Sequence, residues 1–260
     1  MDGPIWEMPW GDGPLVAAAI HNGHAVRSEL VDLLALGDAE RLYEEDPFTD
    51  AWTTIAPTRI VVCRSRFEMD LNRPREQAVY LEPQDAWGLQ VWKTRPPADR
   101  IERSLAQYDA FYRHVRFLLE ELIARHGHLV VFDLHTYNYR RSGPDAPEAD
   151  PQQNPDVNLG TGTMDRRRWA PLIDRFLADL AGFDFLGRRL DVRENVKFRG
   201  GQFSRWIHQT FPESVCALAA EVKKSFMDEW TGQLDRDRHE AVRRALESAA
   251  AGVREELAAL

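Results

Sequence analysis

The sequence predicts an α/β fold: a single domain in which a central sheet, mixed or mostly parallel, is flanked by helices. Three observations predict it. Short apolar runs, too short for independent helices, alternate with longer stretches of helical periodicity. Two of those runs, Leu15–Ile20 and Leu129–Leu134, lead straight into a histidine, His21 and His135. The carboxyl ends of strands are where such sheets gather ligands and catalytic groups. The length, 260 residues with 43% hydrophobic and 29% charged, is enough for one substantial core.

Each element has its own signal. Leu15–Ile20 reads as a strand, and a helix is expected near Ser28–Leu36. Ile60–Cys63 reads as a second strand. From Asp99 to His126 the residues Ile101, Leu105, Tyr108, Tyr112, Val115, Leu119, Leu122 and Ile123 recur at helical spacing. Asp99 with Glu102 forms a capping-box pattern, and Gly127 is the expected stop. The strand reaching His135 follows at once. Further helices are expected at Pro171–Leu180 and Arg236–Leu257, with a strand at Val215–Val222 between them. The segment 141–158 departs from this pattern. Pro144, Pro147, Pro151 and Pro155 among polar residues leave little to bury, so it reads as a long loop, either a lid or an idle connection.

Bulk properties exclude some functions. A formal charge of −9 argues against nucleic-acid or anionic-membrane partners, and the basic run Arg166-Arg167-Arg168 is short enough to be a solvated face. No apolar stretch approaches membrane-spanning length. The acidic beginning, with Asp2, Glu7 and Asp12, does not resemble a secretory signal. Cys63 and Cys216 both lie in apolar runs and read as buried fillers in a reducing compartment. A cytoplasmic protein is the expectation.

Three constellations carry chemistry. In His21-Asn22-Gly23-His24 a turn at Gly23 lets both histidines approach a metal. The acids Glu44, Glu45 and Asp46 are the nearest carboxylates after it, and two histidines with one carboxylate form a common hydrolytic zinc set. In Ser65–Pro74, Arg66 and Arg73 suit a carboxylate clamp, Asn72 adds a donor, and Asp70 is placed to orient an arginine. In Ala219-Ala220-Glu221-Val222-Lys223-Lys224 an acid ends an apolar strand, where burial is costly unless the group is paired or functional. Glu221 would suit a general base, or else a strand-edge acid paired with Lys223 or Arg205.

In their order and type these motifs resemble the N-formylglutamate amidohydrolase family, related to zinc carboxypeptidases and aspartoacylases. The resemblance rests on His21, on Ser-Arg-x-x-x-Asp-Leu-Asn-Arg at Ser65–Arg73, on Asp133-Leu134-His135, on Gly200-Gly201, and on Glu221 in Ala-Glu-Val-Lys-Lys. It implies a zinc carboxypeptidase-like fold, one zinc per chain and hydrolysis of a small N-acyl amino acid. His21 and His135 then look like the first and last zinc ligands, and Glu221 like the catalytic glutamate. Arg66 looks like the group that polarises the scissile carbonyl, and Asn72 with Arg73 like the pair that holds the substrate carboxylate. Where carboxypeptidases carry a glutamate three residues after the first histidine, this chain has His24. The formylglutamate branch points instead to Asp46, with Glu45 beside it, and His24 stays as the alternative ligand. Two other functions are compatible with the sequence: a carboxypeptidase-like peptide hydrolase, and a non-catalytic binder of an acidic small molecule.

Overall fold

A seven-stranded mixed sheet, in the order β1-β3-β2-β4-β7-β5-β6, forms the middle of the computed structural model, which describes residues 3–260. The strands are β1 (Trp6–Glu7), β2 (Leu15–Ala19), β3 (Thr58–Val62), β4 (Leu129–Tyr137), β5 (Val157–Gly160), β6 (Val192–Glu194) and β7 (Val215–Lys223). The helices are α1 (Ser28–Val31), α2 (Asp38–Glu44), α3 (Thr49–Trp52), α4 (Ala98–His126), α5 (Ala170–Gly182), α6 (Gln202–Thr210) and α7 (Arg236–Leu257). Strands β3, β2, β4 and β7 run parallel, while β1 is antiparallel to β3 and β5 to β7. The central strands are buried on both faces, which is why they read as unbroken apolar runs.

Alternation along β4 divides the core. Val130, Phe132 and Leu134 pack with Phe176 of α5 and Ala249 of α7, whereas Leu129 and Val131 pack with Val115 of α4 and Ile207 of α6. The chain leaves β2 toward β3 on one side and returns to β4 on the other. Such a reversal opens a crevice at the carboxyl ends of the strands. His21 lies just beyond β2, and β4 carries His135, so both flank that crevice. A satellite core of Phe67, Val79, Tyr80, Val91 and Trp92 with Leu30 and Leu34 supports the irregular segment after β3.

The structure differs from the sequence expectations in several places. The helix expected over Ser28–Leu36 stops at Val31. Beyond it, Leu34 bridges to Trp92 and the Ala35 amide bonds the Val91 carbonyl, so pairing with a distant segment displaces the helix. Asp99 does not cap α4. The helix starts at Ala98 behind Pro97, and Asp99 sits in the first turn, where its charge faces the helix's positive end. β4 continues two residues past His135, to Tyr137, and β5 takes the end of the expected 141–158 loop. The second half of that loop is tied down by Arg193 on the carbonyls of Pro151 and Gln152 and by Lys197 on Asn154. Cys216 is buried, but Cys63 is only partly so. Among the described residues no helix is long and apolar enough to cross a membrane.

Candidate active site

The longest strand pairing positions the first two groups. β4 and β7 pair over nine registers, and His135 is the Cα partner of Glu221. Registered residues of parallel neighbours share a face, so imidazole and carboxylate stand side by side. The third group, His21, follows β2, which pairs with β4. Gly23 is needed in the turn after it, because a Cβ there would lie 2.3 Å from the backbone carbon of Cys63.

Asp46 completes the cluster. Ligand atoms of His21, Asp46 and His135 all lie within 4.8 Å of one another, and all three residues are buried. The Asp46 Oδ2 is 3.4 Å from His21 Nδ1 and 3.1 Å from His135 Nδ1. Its Oδ1 accepts a 2.8 Å bond from the Thr136 hydroxyl, and its amide donates to the His21 carbonyl. Each histidine turns its other nitrogen to a second carboxylate. His21 Nε2 donates to Asp70 Oδ1 and His135 Nε2 to Asp133 Oδ1, both at 2.8 Å. These carboxylates orient both rings, so that both Nδ1 atoms face Asp46.

The electrostatics follow from this concentration of acids. Burial pushes the His135 pKa down, yet the charge and hydrogen bond of Asp133, with Asp46 and Glu221 nearby, hold it well above 6.5. Burial pushes Asp46 up, but its contacts with His135 and His21 keep it well below the usual carboxylate range. Burial also acts on Glu221, and there it wins, raising the pKa to about 8 against the opposing pull of His135. Among the described residues the Glu221 carboxylate has no hydrogen bond or ion pair, so the pairing with Lys223 or Arg205 is not seen. Lys223 meets Asp156 instead.

A cavity of about 250 Å³ opens onto the cluster; its walls include Arg66, Asn72, Arg73, Trp87, Arg141, Arg199, Glu221 and Lys224. Arg66 donates to Asp70 Oδ2 at 2.7 Å and stacks on Trp87, 4.9 Å from the ring centroid. Burial opposes its charge, but Asp70 holds its pKa well above the usual arginine value. Asn72 packs so closely on Gly201 that a Cβ there would lie 2.2 Å from its Oδ1, which accepts from the Phe203 amide. Arg141 forms a bidentate pair with Glu44, at 2.9 Å for each bond. Arg73 lies over the rings of Tyr80 and Trp87. Among the described residues, neither the Arg73 nor the Arg199 guanidinium has an acidic partner.

His24 lies outside the cluster. Its Nδ1 contacts Glu45 Oε2 at 2.5 Å, and its Nε2 faces Arg41. Glu45 is likewise turned away, its other oxygen taking the Ser65 hydroxyl. The sequence reading gave Asp70 to an arginine; the structure gives it to both Arg66 and His21. It missed Arg141, Arg199 and Lys224 as lining residues and Thr136 as a partner of Asp46. The alternation of strand residues was a usable signal for Asp133, two residues before His135 on the same face.

Comparison with known proteins identifies the family. A model of the N-formylglutamate amidohydrolase family matches residues 13–227. An N-formylglutamate amidohydrolase from Ralstonia eutropha JMP134 has the same fold, with a TM-score of 0.76, 17% identity, and 98% of each chain covered. A gene product of Agrobacterium tumefaciens aligns with a TM-score of 0.69 and 17% identity, over 99% of this chain and 96% of that one. A carboxypeptidase A candidate from Shewanella denitrificans OS-217 aligns loosely, with a TM-score of 0.39 and 13% identity, over 96% of this chain and 60% of that one. No curated protein matches. With most of its length, from residue 13 to 227, accounted for by one family, the chain belongs to the N-formylglutamate amidohydrolases and is a hydrolase of an amide bond.

Proposed function

We propose that the chain is a zinc-dependent amidohydrolase that cleaves the acyl amide of a small N-acyl amino acid, with N-formylglutamate the first candidate. The observation that carries this reading is the convergence of two imidazole nitrogens and one carboxylate on a single point beside an unpaired glutamate. That donor set fits zinc: nitrogen and oxygen ligands, three in number, with both histidines oriented by second carboxylates. A hard cation would call for more oxygen ligands. Bound there, zinc would supply Lewis acidity to the water and to the scissile carbonyl.

The chain's own groups account for the rest. Glu221, which lines the cavity in register with His135, would as a carboxylate take a proton from the attacking water and return it to the leaving nitrogen; the positive charge of a bound metal favours that ionised form. Arg66, locked by Asp70 and Trp87, directs a fixed positive charge at the developing oxyanion. Asn72 and Arg73 hold the α-carboxylate, which positions the amide and lowers the entropic part of the barrier. Arg73 and Arg199 together suit a substrate with two carboxylates.

The test is metal analysis of the purified chain, coupled to release of free amine from N-formyl and N-acetyl amino acids. Stoichiometric zinc, turnover, and loss of turnover on chelation support the reading. Turnover indifferent to chelation overturns the zinc dependence, and bound ligand without turnover makes the chain a binder. Arg73→Ala should lower kcat/KM for acids about tenfold or more relative to the matching α-carboxamides. An unchanged ratio removes Arg73 from carboxylate recognition.

A further inference from the structure

One charged side chain in the cavity wall has no part in the chemistry above. Lys224 is 1% exposed, a costly place for an ammonium unless its protons are used. Its Nζ donates to the carbonyl oxygens of Tyr43 and Glu45, at 2.6 and 2.7 Å. These carbonyls belong to the end of α2, where helix geometry leaves oxygens without partners and favours a cation. The next residue along the chain is Asp46. At Glu45 the backbone turns from helical to extended, with φ −80° and ψ 172°. A peptide at such a turn has no helical ladder of its own to hold it. Asn138 adds a 2.8 Å bond to the Tyr43 carbonyl, and the Lys224 amide bonds the Tyr137 carbonyl on β4. The ammonium thus bridges the carboxyl ends of the central strands that carry His135 and Glu221 to the peptide that precedes Asp46.

We propose that Lys224 is a positioning residue: by holding the Tyr43 and Glu45 carbonyls it fixes the backbone from which Asp46 reaches His21 and His135. The inference rests on the reading that these three residues hold a divalent cation. It makes a prediction of unexpected sign. An ammonium close to a metal repels it, so a purely electrostatic role predicts tighter metal binding when the charge is removed. A substrate-binding role predicts a higher KM with metal affinity unchanged. Positioning predicts weaker metal binding despite the relieved repulsion.

The experiment uses the full chain, with zinc and cobalt affinities read by competition against a chromophoric chelator. Thermal unfolding of the metal-free proteins checks that each variant folds. Lys224→Met keeps the length of the side chain and removes its donors; it should weaken metal binding about tenfold to a hundredfold, the scale of lost ligand support. Its cobalt form should show a shifted visible spectrum, and kcat should return toward the parent value at saturating zinc. Lys224→Arg, which keeps charge and donors, should recover most of the affinity. In an Asp46→Asn background Lys224→Met should cause no further loss, because two changes acting through one ligand are not additive. Unchanged or tighter metal binding in folded Lys224→Met overturns the inference, as does an additive loss in the Asp46→Asn background. If Lys224→Met does not fold, Lys224→Arg carries the test: any affinity it loses must vanish in the Asp46→Asn background, and a loss that persists there overturns the inference. A parent protein that binds no divalent cation overturns the metal reading and this inference together, an outcome distinct from failure of the Lys224 variants alone.

Discussion

His135 and His208 are both buried, at 2% and 7% exposure, yet their surroundings drive them in opposite directions. His135 stands between two carboxylates, Asp133 and Asp46, which hold it well toward the charged form. His208 has neutral partners only: its Nε2 accepts from the Ala217 amide and its Nδ1 faces the Thr163 hydroxyl. Burial there pushes the pKa down to about 4. A third buried histidine, His239, donates to the Phe48 carbonyl and stacks on Trp52. The difference teaches that burial of a histidine says little by itself. The charge of its partners decides whether the site attracts a cation or excludes one.

The largest expected effect would break this comparison outright if it failed. His21→Ala or His135→Ala should lose metal on simple desalting, whereas His208→Ala and His239→Ala should retain it at full stoichiometry. Metal content by elemental analysis decides the matter. Loss of metal from a folded His208 or His239 variant would show that partner charge is the wrong criterion.

Next is a pH effect confined to the neutral histidine. The unfolded chain takes up a proton on this side chain near 6.5, the folded chain near 4. Between those values the unfolded state binds more protons, so stability falls as pH falls through that window and is whole above it. The shift corresponds to about 3 kcal/mol. His208→Gln should flatten the stability curve between pH 6.5 and 4 by that order, read by urea unfolding at several pH values. An unaltered slope would place the acid sensitivity elsewhere.

How much of this was legible from sequence depends on which interactions are local. Short apolar runs revealed the central strands, and the long periodic stretch revealed α4, because alternation and helical spacing are properties of neighbouring residues. The order β2-β4-β7, which gathers His21, His135 and Glu221, is a tertiary fact that no single run contains. Three consecutive acids illustrate the limit. Glu44 turns to Arg141, Glu45 to Ser65 and His24, and Asp46 to the two histidines. The break from helix to extended backbone at Glu45 sends them apart, and residue type alone cannot say which goes where. The pairing of Asp70 with an arginine was legible, but its second partner, His21, was not, because the segment is irregular and is shaped by the satellite core around Phe67 and Tyr80.

The supporting carboxylates sharpen the comparison. Asp70→Asn and Asp133→Asn keep the shape but replace the charge, and an amide can donate where the histidine needs an acceptor. Each should weaken zinc binding about tenfold to a hundredfold without emptying the site. Asp70→Asn should also reduce kcat, since Arg66 loses its anchor. Affinities equal to the parent's would mean that Nδ1 is aimed by packing alone.

The smallest expected effect is the most discriminating, because His24 obeys half of the rule. It too has a carboxylate partner, Glu45, and by that criterion alone it would count as a cation-binding histidine. Its other nitrogen, however, faces the guanidinium of Arg41 at 3.2 Å, and its side chain is 38% exposed. Asp38 also lies 3.8 Å from that nitrogen, but it is exposed and bound to Arg41, so the base offsets the acids around His24, whereas the two acids flanking His21 and the two flanking His135 are all buried. His24→Ala should therefore cost about 1 kcal/mol of stability through the lost bond to Glu45. Its metal affinity should change by less than the roughly tenfold lower bound expected for a supporting carboxylate. Asp46→Ala should weaken metal far more. If His24→Ala empties the site while Asp46→Ala stays fully loaded, the second ligand is His24, and the turn at Gly23 would have to swing it past Glu45 to reach the metal.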